Sequence, residues 1–253
     1  MKAIESCPTG KAGGPVCILY EHLNIAKECM SNVLANLYTQ MFRTGYIPDR
    51  MKCGTIITLH KGGKKRTNDP NNYSAITLTS VSLRLFATVI VERSRHTIIA
   101  NLSPQQGGFQ QNLGCIMTSF ILRESIYFAS DYSSQVYVCF LDCIQAFDRV
   151  WTPGMFYKLL DNNIDDTSFI AITEMYKNVT SSVKYKGLIS ESFPIQQGTR
   201  QGGKSSPLLY LLYINDLIKE LESSRLGMCM FNVDLCSPTV ADEMVLVFFP
   251  NLV

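Results

Sequence analysis

Asp142 and the adjacent pair Asp242 and Glu243 are the residues of this 253-residue chain whose setting could do chemistry. Asp142 closes an apolar run, Gln135 to Leu141, which reads as a buried strand. A carboxylate is costly inside such a strand, so it should protrude where the strand leaves its sheet. Asp242 and Glu243 stand with Ala241 at a turn before a second apolar run, Met244 to Phe249. If both strands are neighbours in one sheet, these acids converge. Clustered carboxylates repel one another unless a cation sits between them, and oxygen-only ligands suit Mg2+. Two such ions can activate a 3′-hydroxyl and steady a leaving pyrophosphate. On spacing alone, though, acidic turn residues are more often simply solvated.

The elements around these acids alternate irregularly between helix and strand, which predicts an α+β fold. Glu21 to Phe42 carries Leu23, Ala26, Met30, Val33, Leu34, Leu37 and Met41 at helical spacing, and Gly45 and Pro48 end it. Thr55 to Leu59 is a short β-prone run. Gly62 to Asn72 is a polar, basic loop with Lys64, Lys65 and Arg66. Ser80 to Ala100 reads as helix. Pro153 suits a helix start running through Leu160, and Asp165 and Asp166 suit the start of another that ends near Asn178. Ser182 to Lys186 and Ser192 to Ile195 look like short strands. Pro207 to Leu221 is a strong helix candidate, and Gly227 to Val233 a further strand.

Bulk composition narrows the classes. Hydrophobic residues make up 46% and charged residues 17%, which fits a packed core and excludes a disordered chain. The net charge of +2 allows a local basic groove for nucleic acid without arguing for one. Nine cysteines lack paired CxxC spacing and nearby histidine, which disfavours zinc and a disulfide framework. They are expected to be reduced and mostly buried, as in an intracellular protein. Met1 to Gly14 has no apolar signal-peptide core, and no apolar run is long enough to span a bilayer. The sequons at Asn72, Asn101 and Asn178 therefore read as chance.

Short motifs then fall in a telling order. Leu141 to Asp148 (LDCIQAFD) resembles motif A, LDxxxAFD, of reverse transcriptases. Gly198 to Pro207 (GTRQGGKSSP) resembles motif B, whose usual form is close to GVRQGDPLSP, with Tyr213 to Leu217 in the helix after it. Val240 to Glu243 (VADE) resembles motif C, usually YADD. Gln106 to Phe109 is similar to QxGFR, and Asn72 to Leu78 to NYRPISL. Gly45 to Pro48 and Lys11 to Pro15 fit the start of the LINE-like domain. No single match is decisive, but their order is specific, and they cover nearly the whole chain. The chain thus resembles the reverse transcriptase domain of a non-LTR (LINE-like) retrotransposon.

This resemblance implies a right-hand polymerase, with residues 1–134 mainly fingers and 135–253 mainly palm, the palm built on an antiparallel sheet packed by helices. It implies RNA-directed DNA polymerisation by two-metal nucleotidyl transfer from a dNTP to a primer 3′-hydroxyl, with an RNA template, a DNA primer and Mg2+, for which Mn2+ can substitute. Asp142 would bind both ions, Cys143 would lend its backbone carbonyl, and Asp242 would be the second metal ligand beside Glu243. Phe147 would block a ribose 2′-hydroxyl; the plainer reading is a core phenylalanine. Gln201 and Gly202 would lie against template and incoming nucleotide. Lys61 would meet the triphosphate, although a solvated loop lysine is the default. Asp148 would be structural support. A nuclear location follows only from how such elements integrate.

Several positions depart from the pattern. Glu243 replaces the second aspartate of motif C, keeping the charge but adding a methylene. Ser74 and Ala75 replace Arg-Pro, and Gln110 replaces the arginine after GF. Gly203, Lys204 and Ser205 replace Asp-Pro-Leu, Val16 and Cys17 replace Asp-Gly, and Val240 replaces tyrosine. These changes fall on the motifs themselves, which predicts a decayed copy with impaired catalysis: a nucleic-acid-binding or functionless remnant is the alternative. The absence of a thumb after Val253 and of an endonuclease before Met1 fits a fragment of a longer element.

Overall fold

The structure, a computed structural model, describes residues 1–110, 112–132, 134–199, 203–230 and 233–248. Its elements run α1 (Lys2–Glu5), α2 (Tyr20–Ile25), α3 (Lys27–Thr44), α4 (Asp49–Lys52), β1 (Gly54–His60), β2 (Tyr73–Thr79), α5 (Val81–Asn101), α6 (Cys115–Asp131), β3 (Tyr137–Asp142), α7 (Thr152–Asp161), α8 (Asp166–Tyr176), β4 (Thr180–Tyr185), β5 (Leu188–Ile189), β6 (Phe193–Pro194), α9 (Ser206–Ser224), β7 (Cys229–Met230), β8 (Val233–Asp234), β9 (Thr239–Val240) and β10 (Glu243–Phe248). The fold is α+β, with mostly antiparallel strands.

Two compact units interleave along the chain. One takes Met1–Thr97 and Phe147–Ser206, the other Ile98–Ala146 and Pro207–Val253.

In the first unit, one sheet has the order β2-β1-β4-β5, with β6 also on β4. β1 is antiparallel to β2 and parallel to β4. Ala75 and Ser74 pair with Thr58 and Leu59. The helix expected over Glu21 to Phe42 is two helices, broken at Ala26, where no side chain caps α3. The face of α3 also differs from expectation: Leu34, Tyr38 and Met41 are buried while Val33 and Leu37 are exposed. Tyr38 and Phe42 pack their rings on Phe86 at 5.2 and 4.9 Å. Gly45 ends α3 at φ 62°, and a Cβ there would meet Ile170 Cγ2 at 2.8 Å. Lys52 is wholly buried, 2.8 Å from Asp49 and 3.1 Å from the carboxylate of Glu174 on α8.

In the second unit, β10 lies between β3 and β9 in a three-stranded antiparallel sheet, and β7 pairs with β8. Ala129, Met228, Leu235 and Val247 form its core, with Leu122, Phe128 and Val245 packed against them. Asn215, buried inside α9, accepts the Ser103 amide at 2.8 Å and donates to the Asn101 carbonyl at 2.9 Å. A polar residue in a helix is thereby satisfied, as burial demands.

Two expectations are corrected here. The strand over Gln135 to Leu141 begins at Tyr137, ends at Asp142, and is largely exposed; Phe140 is 72% exposed. Its apolar run reflects two partly uncovered faces, with β10 on one edge. The cysteines are all free, but only Cys236 is buried, and Cys17, Cys29, Cys115, Cys139, Cys143 and Cys229 are exposed. The run over Gly227 to Val233 gives β7 and β8, with Phe231 and Asn232 outside the described residues; Phe249 lies outside them too. The helix α6 and the strand β2 went unanticipated.

Candidate functional site

Two short strands bring the acids of the second unit together. In the β3–β10 ladder, Asp142 is the register partner of Glu243, so both stand at one end of the sheet and on one face. The next pairing is made by the backbone: the Cys143 amide donates to the Asp242 carbonyl at 3.2 Å. Glu243 is thus the first residue of β10, and the turn is made by Ala241 and Asp242. Ala241 takes φ 57°, a left-handed conformation that is uncommon outside glycine.

Asp142, Cys143 and Glu243 are exposed and Asp242 half-buried. None of the three acids has an ion-pair partner among the described residues. Carboxylates directly opposite each other on a sheet destabilise it, and a bound cation would relieve that. Their hard oxygens suit Mg2+, which takes one or two protein carboxylates and completes its shell with water and phosphate. No group of three or more His, Cys, Asp or Glu side chains able to hold a metal by itself occurs among the described residues. A cavity of about 370 Å3 opens beside the acids, lined by Cys115, Thr118, Leu122, Leu141, Asp142 and Glu243.

Beneath the acids lies Tyr210 of α9, 4% exposed. Its hydroxyl bonds the Cys143 side chain, and burial first, then Cys143 and the charge of Asp242, push its pKa above the usual tyrosine value. The sequence reading missed Tyr210. It sits three residues after Pro207, where the helical pattern alone carries no sign of a polar contact.

Phe147, Asp148 and Lys61 belong to the first unit. Motif A divides there: residues 141–146 belong to one unit and Phe147 and Asp148 to the other. The Phe147 carbonyl accepts the Thr199 amide at 2.7 Å, and the Gly198 amide donates to the Val150 carbonyl at 2.8 Å. Gly198 has φ 87°, and a Cβ there would come within 2.7 Å of the Asp148 carbonyl oxygen. Only glycine permits that approach. Burial raises the Asp148 pKa, which suits a supporting carboxyl. Lys61 is exposed at the end of β1, its amide bonded to the Asn72 carbonyl at 2.8 Å and its ammonium to the Asn71 carbonyl at 3.1 Å. Gln201 and Gly202 lie outside the described residues. No described helix is long and apolar enough to cross a membrane.

Known proteins agree with the motif order. The chain is 27% identical over 219 residues to the RNA-directed DNA polymerase from mobile element jockey of Drosophila melanogaster, which covers 85% of this chain and 23% of that protein. To the retrovirus-related Pol polyprotein from type-2 retrotransposable element R2DM of the same fly it is 23% identical over 221 residues, 87% of this chain and 20% of that protein. It therefore spans between a fifth and a quarter of the length of these curated relatives. Among solved structures, apo telomerase from Candida tropicalis truncated from its C-terminal domain shares the fold at TM-score 0.56 and 12% identity, over 87% of this chain and 49% of that one. Telomerase from Candida albicans in complex with a fragment of telomeric RNA gives 0.54 and 12%, over 81% and 40%. A profile described as reverse transcriptase (RNA-dependent DNA polymerase) matches residues 60–247, and with that match spanning most of its length, the chain belongs to the reverse transcriptase family, among the relatives encoded by non-LTR retrotransposons.

Proposed function

We propose that this chain is the fingers and palm of a retrotransposon polymerase that extends a DNA primer on an RNA template. The observation that carries the proposal is the pairing of β3 with β10, which sets Asp142 opposite Glu243 with Asp242 at the adjoining turn. Asp142 and Asp242, with the Cys143 carbonyl, would hold Mg2+, or Mn2+ in its stead. When bound, the metal ions supply activation of the primer 3′-hydroxyl and neutralise the charge of the leaving pyrophosphate. The residues themselves do the rest. Phe147 excludes a ribose 2′-hydroxyl and so selects deoxynucleotides. Gln201 and Gly202 face the template and the incoming nucleotide. Lys61 meets the triphosphate as a point charge. Residues 1–134 serve mainly as fingers and 135–253 mainly as palm. Its work is nuclear, where such elements integrate.

The test is incorporation of deoxynucleotides by the purified chain on an RNA template with an annealed DNA primer, in Mg2+ and then Mn2+. Asp142→Ala should lower incorporation by about a thousandfold or more, the scale of losing a charge-stabilising group. Polymerisation that survives this change would sink the metal assignment.

A second reading has its own observation. Glu243 faces Asp142 in the ladder, and its extra methylene displaces the oxygens by about an ångström, a shift that well-oriented chemistry tolerates poorly. On this reading the chain binds a primer–template and incorporates nothing. Soluble, folded protein that binds duplex in a salt-dependent way but leaves the primer unextended would favour it.

A further inference from the structure

Ala241 turns the chain between β9 and β10 in a left-handed conformation, φ 57°, that alanine holds only when its surroundings impose it. The imposing residues are consecutive. Gln106 is fully buried, and its Oε1 accepts the Ala241 amide at 3.1 Å and the Gly108 amide at 2.9 Å. The Gly107 amide donates to the Thr239 carbonyl at 2.8 Å, and the Thr239 amide to the Gln105 carbonyl at 2.9 Å. Gln105 Oε1 accepts the Ser237 amide at 2.6 Å. Gly108 packs directly under the turn, where a Cβ would press on the Ala241 nitrogen. Residues 105–108 thus clasp β9 and the turn after it, and the residue that leaves the clasp is Asp242.

We infer that Gln106 is a positioning residue for Asp242, fixing the turn from which that carboxylate reaches a divalent cation. The inference rests on the metal reading proposed above. Gln106 works through its acceptor oxygen, since its Nε2 has no hydrogen-bond partner among the described residues. Were it only core filling, leucine would serve as well.

The experiment uses the full chain and reads Mn2+ affinity by electron paramagnetic resonance, amide exchange over residues 239–243 and melting temperature. Asp142→Ala should lose Mn2+. Gln106→Leu should weaken Mn2+ binding about tenfold or more, the usual cost of removing a supporting contact, and speed exchange at Ala241. The isosteric Gln106→Glu, which keeps the acceptor oxygen, should keep exchange at Ala241 slower and Mn2+ affinity higher than in Gln106→Leu. Gly108→Ala displaces the same turn from a second point and serves if Gln106→Leu fails to fold. Wild-type Mn2+ affinity and unchanged exchange in Gln106→Leu or Gly108→Ala would overturn the inference. So would equal losses in Gln106→Leu and Gln106→Glu that merely track melting temperature. If the wild type shows no Mn2+ binding that depends on Asp142, the metal reading fails separately, and exchange at Ala241 alone then decides whether Gln106 holds the turn.

Discussion

Glu243 stands where the motif resemblance implies aspartate, and its position as the register partner of Asp142 gives that difference a direct route to activity. Shortening it restores the carboxylate reach. Glu243→Asp is expected to raise primer extension about tenfold, well inside the range that a one-ångström misplacement can cost. No gain would mean that the other altered motif residues dominate. Tyrosines offer a prediction of a different kind. Burial pushes Tyr20 up to about 12, and burial also raises Tyr38, whose hydroxyl donates to the Ser82 carbonyl at 2.8 Å. Unfolded tyrosine titrates near 10. Above that pH the unfolded chain loses the proton while the folded chain keeps it, so stability is intact below pH 10 and falls as pH rises toward 12. Each tyrosine contributes a slope of about 1.4 kcal/mol per pH unit. Urea unfolding at pH 9, 10 and 11 should show the decline, and Tyr20→Phe should flatten it; an equal slope in the variant would dismiss Tyr20 as a source.

Among the elements, α4 and α8 are joined by charge, since Lys52 is buried between Asp49 and Glu174. Lys52→Met leaves Glu174 without its main partner and should destabilise by about 3 kcal/mol; calorimetric melting checks this, and a change below about 1 kcal/mol would mean that solvent reaches Glu174. Lys52 also marks where sequence reading runs out. A lysine three residues before a β-prone run looks solvated, and its acid lies 122 positions downstream. Elements set by local pattern were legible: α5, α7, α8 and β1 lie within a residue or two of their expected bounds, and α9 runs three residues past its expected end. The break at Ala26 was not, because the apolar spacing runs straight through it. Neither was α6, which begins after Gly114 without a side-chain cap. At the site, the three acids were legible because each borders an apolar run. Gln106 was visible only as a motif letter, since its partner Ala241 is 135 residues away.

For the whole molecule, a net charge of +2 means that the proposed binding to a primer–template would depend on local contacts rather than on a global field. Affinity for such a duplex should still fall steeply with salt. About six phosphate contacts would cost about a thousandfold between 50 and 200 mM, and a titration by fluorescence anisotropy reads the slope; a flat slope would argue against any backbone-tracking groove. The order in which the chain is made matters as well. β3 ends at Asp142, yet its strand partner β10 comes about a hundred residues later, at Glu243–Phe248. During synthesis on the ribosome, Asp142 therefore emerges on an unpaired apolar strand and gains its acidic neighbours only when β10 arrives. A product released early by a premature stop lacks the β3–β10 pairing. It carries a sticky edge instead, so any nascent chain that stops before β10 should be recognised by chaperones and proteases rather than persist as a partial polymerase.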